Sequence, residues 1–158
     1  MANTQSMCTS FMGELLTATH NFGTAPIRAA STADTFRGAL YLASATINAS
    51  TTVYTTSGEV TGAGYSAGGV VVTNANPPVA TNASTTAGVA YWTPSASLTY
   101  TSVTLTTAFD AVLIYNSSQS NKSVSVHTFG SQTISAGTFT LTMPASTTTT
   151  ALLRLATT

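Results

Sequence analysis

The run Ala111-Val112-Leu113-Ile114-Tyr115, at the end of residues 109–115, restricts the fold more than any other feature of the chain. It is far shorter than the roughly 20 apolar residues that a membrane-spanning helix needs. Its apolar side chains follow one another instead of alternating with polar ones, and Asn116-Ser117-Ser118-Gln119-Ser120-Asn121 closes it with turn-forming residues. A short, β-branched apolar stretch bounded by a turn reads as a central strand buried on both faces. The turn then pairs it with residues 123–129 as a hairpin.

Around that hairpin the pattern repeats in weaker form. Residues 35–42 place Phe36, Gly38, Leu40 and Leu42 on one side and Thr35, Arg37, Ala39 and Tyr41 on the other. Residues 69–73, 89–93, 98–105, 138–143 and 152–156 are further strands. Ala136-Gly137 reads as a turn, and Pro144 ends the strand before it because it cannot donate to a ladder. Residues 74–87, with Pro77-Pro78, read as a long exposed loop. The one helical pattern is at the N-terminus, where Cys8, Phe11, Met12 and Leu15 recur at i, i+3, i+4 and i+7. The expected organisation is an N-terminal helix or arm over residues 1–22, followed by a single all-β domain over residues 23–158, a β-sandwich or jelly roll.

Composition decides what such a domain can do. Only 5% of the residues are charged, the net charge is zero, and Thr, Ser and Ala make up about half of the chain. Disorder usually joins low hydrophobicity to high net charge; this chain is 43% hydrophobic and should fold. A Thr/Ser surface loses less than a Lys/Glu surface when a partner covers it, because hydroxyls are less strongly hydrated than charges. It is therefore a surface suited to contact with other subunits. The basic residues Arg28, Arg37, Lys122 and Arg154 are scattered, so no nucleic-acid footprint is expected. With no basic n-region or apolar h-region at the start, the sequence shows no signal peptide, and cytoplasmic synthesis and assembly are expected. No membrane partner is expected either.

Gly64-Tyr65-Ser66-Ala67-Gly68 matches the nucleophile-elbow pattern G-x-S-x-G, and Asp110 and His127 follow in hydrolase order. That chemistry needs a strand, a sharp turn and then a helix. Here Gly69-Val70-Val71-Val72 follows, which reads as a strand, so the motif is a glycine-rich loop entering a sheet and no catalytic residue is assigned. The two imidazoles, His20 and His127, are distant in sequence and lack metal-ligand spacing. No metal and no cofactor are expected. Cys8 reads as a small buried hydrophobe. Of Tyr91 and Trp92, one should enter the core and the other face outward. Phe11 and Leu15 carry more apolar surface than a short isolated helix can leave in water, which marks them as candidate interface residues.

The segments Met1-Ala2-Asn3-Thr4-Gln5-Ser6-Met7-Cys8-Thr9-Ser10-Phe11, Glu14-Leu15-Leu16, His20-Asn21-Phe22, Ala39-Leu40-Tyr41-Leu42, residues 58–69, residues 111–126, Ser135-Ala136-Gly137-Thr138-Phe139 and Leu152-Leu153-Arg154-Leu155-Ala156 together resemble a group of tailed-bacteriophage virion proteins. The resemblance implies a capsid cement, or decoration, protein of the jelly-roll type. It further implies a homodimer or homotrimer on the outer capsid surface, with the major capsid protein as partner and no enzymatic role. A tail or fibre domain that binds host glycans is the alternative that the same Thr-rich β-structure would serve.

Overall fold

The computed structural model describes residues 3–8, 11, 15, 19–20, 22, 33–73, 78–81 and 88–156. The fold is all-β. Its strands are β1 (Ser6–Met7), β2 (Phe36–Leu42), β3 (Val70–Val71), β4 (Val79–Ala80), β5 (Val89–Trp92), β6 (Leu98–Asn116), β7 (Lys122–Leu141) and β8 (Leu153–Ala156). They form two antiparallel sheets, one ordered β1-β7-β6-β2-β3 and the other β4-β5-β8. The chain changes sheet between β3 and β4, between β5 and β6, and between β7 and β8.

The hairpin expected from the sequence is the centre of the larger sheet. Residues 111–116 are all buried, in a strand flanked within its sheet by β2 on one side and β7 on the other. Its turn is made by polar residues. Ser120 and Asn121 adopt the left-handed conformation, φ 53° and 59°, which Asn tolerates better than most residues. Lys122 N–H closes the turn onto the Gln119 carbonyl at 3.1 Å.

Four expected strands turn out to be two. Residues 98–105 and 109–115 are one continuous strand, β6, and residues 123–129 and most of 138–143 belong to β7, which ends at Leu141, two residues before the expected stop. Ala136-Gly137 is not a chain reversal: Val103 pairs with Gly137 and Tyr100 with Phe139, so the ladder runs through it. The residues supply local distortion instead. Ala136 and Ser102, on the facing strands, both have φ 54°, and the register shifts repeatedly between Tyr100 and Ala111. Each bulge bends the ribbon. The accumulated bend is large, since the Phe129 and Phe139 rings lie 5.4 Å apart, whereas ten residues of straight strand would separate them by about 34 Å.

The outer half of the ribbon thus folds back over the inner half. Tyr100 donates its hydroxyl to the Gly38 carbonyl of β2 at 2.8 Å. Leu98 sits directly over Gly38, where a Cβ would come within 2.6 Å of Leu98 Cδ1. A side chain at position 38 would push the two layers apart. On the other side, Trp92 of β5 brings the smaller sheet against Phe22 and Phe36, at 4.8 and 6.1 Å between ring centroids.

The N-terminal helix is not seen as an element. Phe11 and Leu15 have helical backbone, and residues 9–10, 12–14 and 16–18 lie outside the described set. The segment is instead attached by strand pairing: Ser6 and Met7 pair with Val126 and Ser125, and Cys8 N–H continues to the Val124 carbonyl at 3.1 Å. Of the long loop expected over 74–87, residues 78–81 are described and include β4, whereas 74–77 and 82–87 lie outside the described residues.

Candidate interaction surface

The hydrolase-like pentapeptide lies in the loop that leads into β3, laid across β2 and β6. Ser66 is exposed at a tight turn that Gly69 N–H closes onto the Ser66 carbonyl at 3.0 Å. Gly69 has φ +68°, and a Cβ there would fall 1.7 Å from the Gly38 carbonyl oxygen, so only glycine lets the loop reach the sheet. A strand follows, as the valines implied. Asp110 accepts a hydrogen bond from Asn3 Nδ2 at 2.6 Å, and His127 Nε2 shares one with the Ser125 hydroxyl at 2.8 Å. Ser66, Asp110 and His127 are not bonded to one another. Burial lowers the His127 pKa to about 4, so the ring is neutral at pH 7.

Sequence reasoning missed a buried, well-connected acidic group. Glu59 is 6% exposed and accepts three hydrogen bonds: from Tyr54 Oη at 2.6 Å, Tyr65 Oη at 2.7 Å and Gly68 N–H at 2.7 Å. Tyr65 Oη in turn accepts from Leu40 N–H at 3.0 Å. Arg37 donates to the carbonyls of Gly68 and Gly69, and Tyr115 also donates to Gly68, at 3.0 Å. Burial, and next the hydrogen bond to Glu59, push the Tyr54 and Tyr65 phenols well above the usual range. They remain donors throughout the ordinary pH range. A carboxylate with three donors is satisfied as an acceptor, and the network pins the glycine loop to β2. The signal available in the sequence was a lone Glu in a charge-poor chain, flanked by Tyr54 and Tyr65.

The candidate interface residues at the N-terminus meet the smaller sheet. Phe11 is 2% exposed and packs edge-on against His20 at 4.9 Å and Phe22 at 5.9 Å. Leu15 is half-buried. With Met7, Phe22, Trp92 and Leu155 they line an apolar cavity of about 90 Å³. Phe11 is thus part of the chain's own core. Cys8 is fully buried, and Trp92 is the inward member of the Tyr91–Trp92 pair. His20 lies against Asn116, Nδ1 to Nδ2 at 3.0 Å, away from the Ser125–His127 pair. Among the described residues, no three His, Cys, Asp or Glu side chains are grouped so as to hold a metal ion.

The outward surface is mainly hydroxyl and backbone. Ser131, Gln132, Thr133, Ser135, Thr138 and Thr140 of β7 are all exposed. The described basic residues are spread out: Arg37 serves the loop clamp, Arg154 donates to the Thr149 carbonyl at 2.8 Å on the smaller sheet, and Lys122 stands at the hairpin turn. Arg28 lies outside the described residues. No protein-family model, curated protein or solved structure matches the chain.

Proposed function

We propose that the protein is a bacteriophage virion structural protein that binds the outer capsid surface and cements major capsid protein subunits as a homodimer or homotrimer. The observation that carries this reading is the charge-poor hydroxyl surface on a β-framework, with 5% charged residues in the whole chain. Such a surface is covered at low desolvation cost, and many modest contacts to a lattice add up to high avidity. The chain-long resemblance of its segments to phage virion proteins supports the same reading. In that reading the sheets form a jelly-roll sandwich. Among the described residues, eight strands in two sheets, with the chain changing sheet three times, support this finer class, although the division is five and three rather than four and four.

The test is co-sedimentation of the purified protein with expanded phage heads and, separately, with isolated capsid subunits. Tight binding to the heads and weak binding to the subunits is expected. Quantitative proteomics of the virion should give a copy number within a few-fold of the major capsid protein. A handful of copies located at the tail would overturn the cement role and favour glycan recognition.

A further inference from the structure

A cavity of about 290 Å³ shares no lining residue with the apolar one beside Phe11. Its floor is Val112 and Ile114 of β6, both without exposure. Half-buried Met143 and Leu152, from the segment that joins β7 to β8, wall it, and Thr142 and Thr150 stand exposed at its mouth. No charged residue lines it. His127 does. Val112 faces His127 across the ladder and Ile114 faces Ser125, so these four side chains share one face of the ribbon. The Ser125 hydroxyl takes up His127 Nε2 at 2.8 Å, which fixes the ring against the cavity. Among the described residues, Nδ1 has no hydrogen-bond partner. The fully buried polar atom left without one is Ser123 Oγ; Nδ1 is not sealed off, and the open space against it is the cavity.

We propose that this cavity binds a small uncharged alcohol or phenol, with its apolar body on Val112, Ile114 and Met143 and its hydroxyl on His127 Nδ1. The size suits such a molecule. A cavity of about 150 Å³ holds a benzene-sized ring, so 290 Å³ admits a ring together with a short substituent. A charged ligand is excluded, because the lining offers no opposite charge and burial keeps the imidazole neutral, which would leave a desolvated charge unpaired. A hydroxyl matches Nδ1 in either tautomer. It donates where Nδ1 is bare, it accepts where Nδ1 carries the proton, and the Ser125 hydroxyl rotates to suit. Water against Val112 and Ile114 finds no hydrogen-bond partner on their side chains, so an apolar body displaces it favourably. The site rests on the cavity and not on the capsid role.

Titration with benzyl alcohol, followed by NMR of the full chain carrying methyl-labelled methionine, tests it. The methionines separate the two cavities, since Met143 lines this one and Met7 the apolar one. A saturable shift of the Met143 methyl is expected, with a Kd of about 1 mM or tighter, while the Met7 methyl stays in place. Toluene has the same ring and no hydroxyl, and should bind at least tenfold more weakly. His127→Leu should weaken benzyl alcohol at least tenfold and leave toluene unchanged. Where that variant does not fold, the contrast between the alcohol and toluene on the unaltered chain decides. A Met143 shift that never saturates, movement of the Met7 methyl alone, or toluene binding as tightly as benzyl alcohol would overturn the proposal. Loss of capsid binding would count against the cement reading and leave this titration intact.

Discussion

The two halves of the β6–β7 ribbon are made by the same strands and have opposite characters. The inner half, residues 109–116 against 122–129, is flanked in the sheet by β2 and β1, and Ala111, Val112, Leu113, Ile114, Val124 and Val126 are each fully buried. The outer half, residues 98–105 against 134–141, keeps Leu98, Tyr100, Val103 and Leu105 inside but leaves Ser135, Ala136, Thr138 and Thr140 of β7 exposed. The difference lies in the sequence. Consecutive apolar residues require cover on both faces, whereas alternation of Phe139 and Leu141 with Thr requires it on one. One ribbon can therefore serve as the centre of a sheet at one end and as a partly exposed strand pair at the other.

Substitutions along the ribbon sharpen that contrast. Leu113→Ala, at a site with no exposure, should cost about 2–5 kcal/mol through lost burial and the cavity left behind. It would be read as a lower urea midpoint at unchanged m-value. A cost below about 1 kcal/mol would mean that the inner half is not the rigid centre described.

The next effect is one of pH, also in the inner half. His127 is held neutral by burial, with a pKa of about 4 against an ordinary 6.5. The unfolded chain therefore takes up a proton near pH 6.5 that the folded chain refuses until about pH 4. The contribution of this group is fully present above about pH 6.5 and is lost as the pH falls towards 4, by at most roughly 3 kcal/mol. Urea titrations at pH 7 and pH 4.5 should show that loss, and His127→Gln should flatten it.

In the outer half the effects shrink and then change sign. Phe139→Ala removes a half-buried ring that contacts Phe109 at 5.1 Å and Phe129 at 5.4 Å, and should cost about 1–2 kcal/mol, less than a fully buried ring. Ala136→Gly should stabilise by about 0.5–1 kcal/mol, because Ala136 adopts φ 54° and glycine has no Cβ to strain there. A destabilising Ala136→Gly would show that the distorted backbone is not under strain in the folded chain. Thermal melts at matched protein concentration resolve both.

The strands with the clearest periodicity were legible in the sequence: β2, the inner hairpin, β5 and β8 fall where alternation or continuous apolar character put them. The joining of residues 98–105 to 109–115 was not legible. Thr106-Thr107-Ala108 has the composition of either a strand or a connection, and in the structure it is the bulge between the Leu105–Ile134 and Phe109–Gln132 pairs, which only the shared partner strand bridges. Ala136-Gly137 misleads for a related reason, since the same residues that favour a turn also favour a bulge. At the site level, Val70 and Val71 correctly argued against a helix after Ser66. The Glu59 clamp was hidden because its partners come from β2, from β6 and from two loops, which no local pattern brings together.

The pairing of β1 with β7 also sets a schedule for making the molecule. Ser6 meets Val126, so 120 residues (126 − 6) must be added after the first partner before the second exists. At synthesis rates of about 5–20 residues per second, that interval is roughly 6–24 s. For most of it the inner hairpin has not formed, β2 lacks its β6 neighbour, and the apolar side chains of Phe36 and Leu40 wait without their sheet. Pairings so distant along the chain fold slowly even once it is complete, on the millisecond-to-second scale. A nascent chain of this kind spends most of its synthesis unable to close its own sheet, and its low charge offers little repulsion between copies during that time.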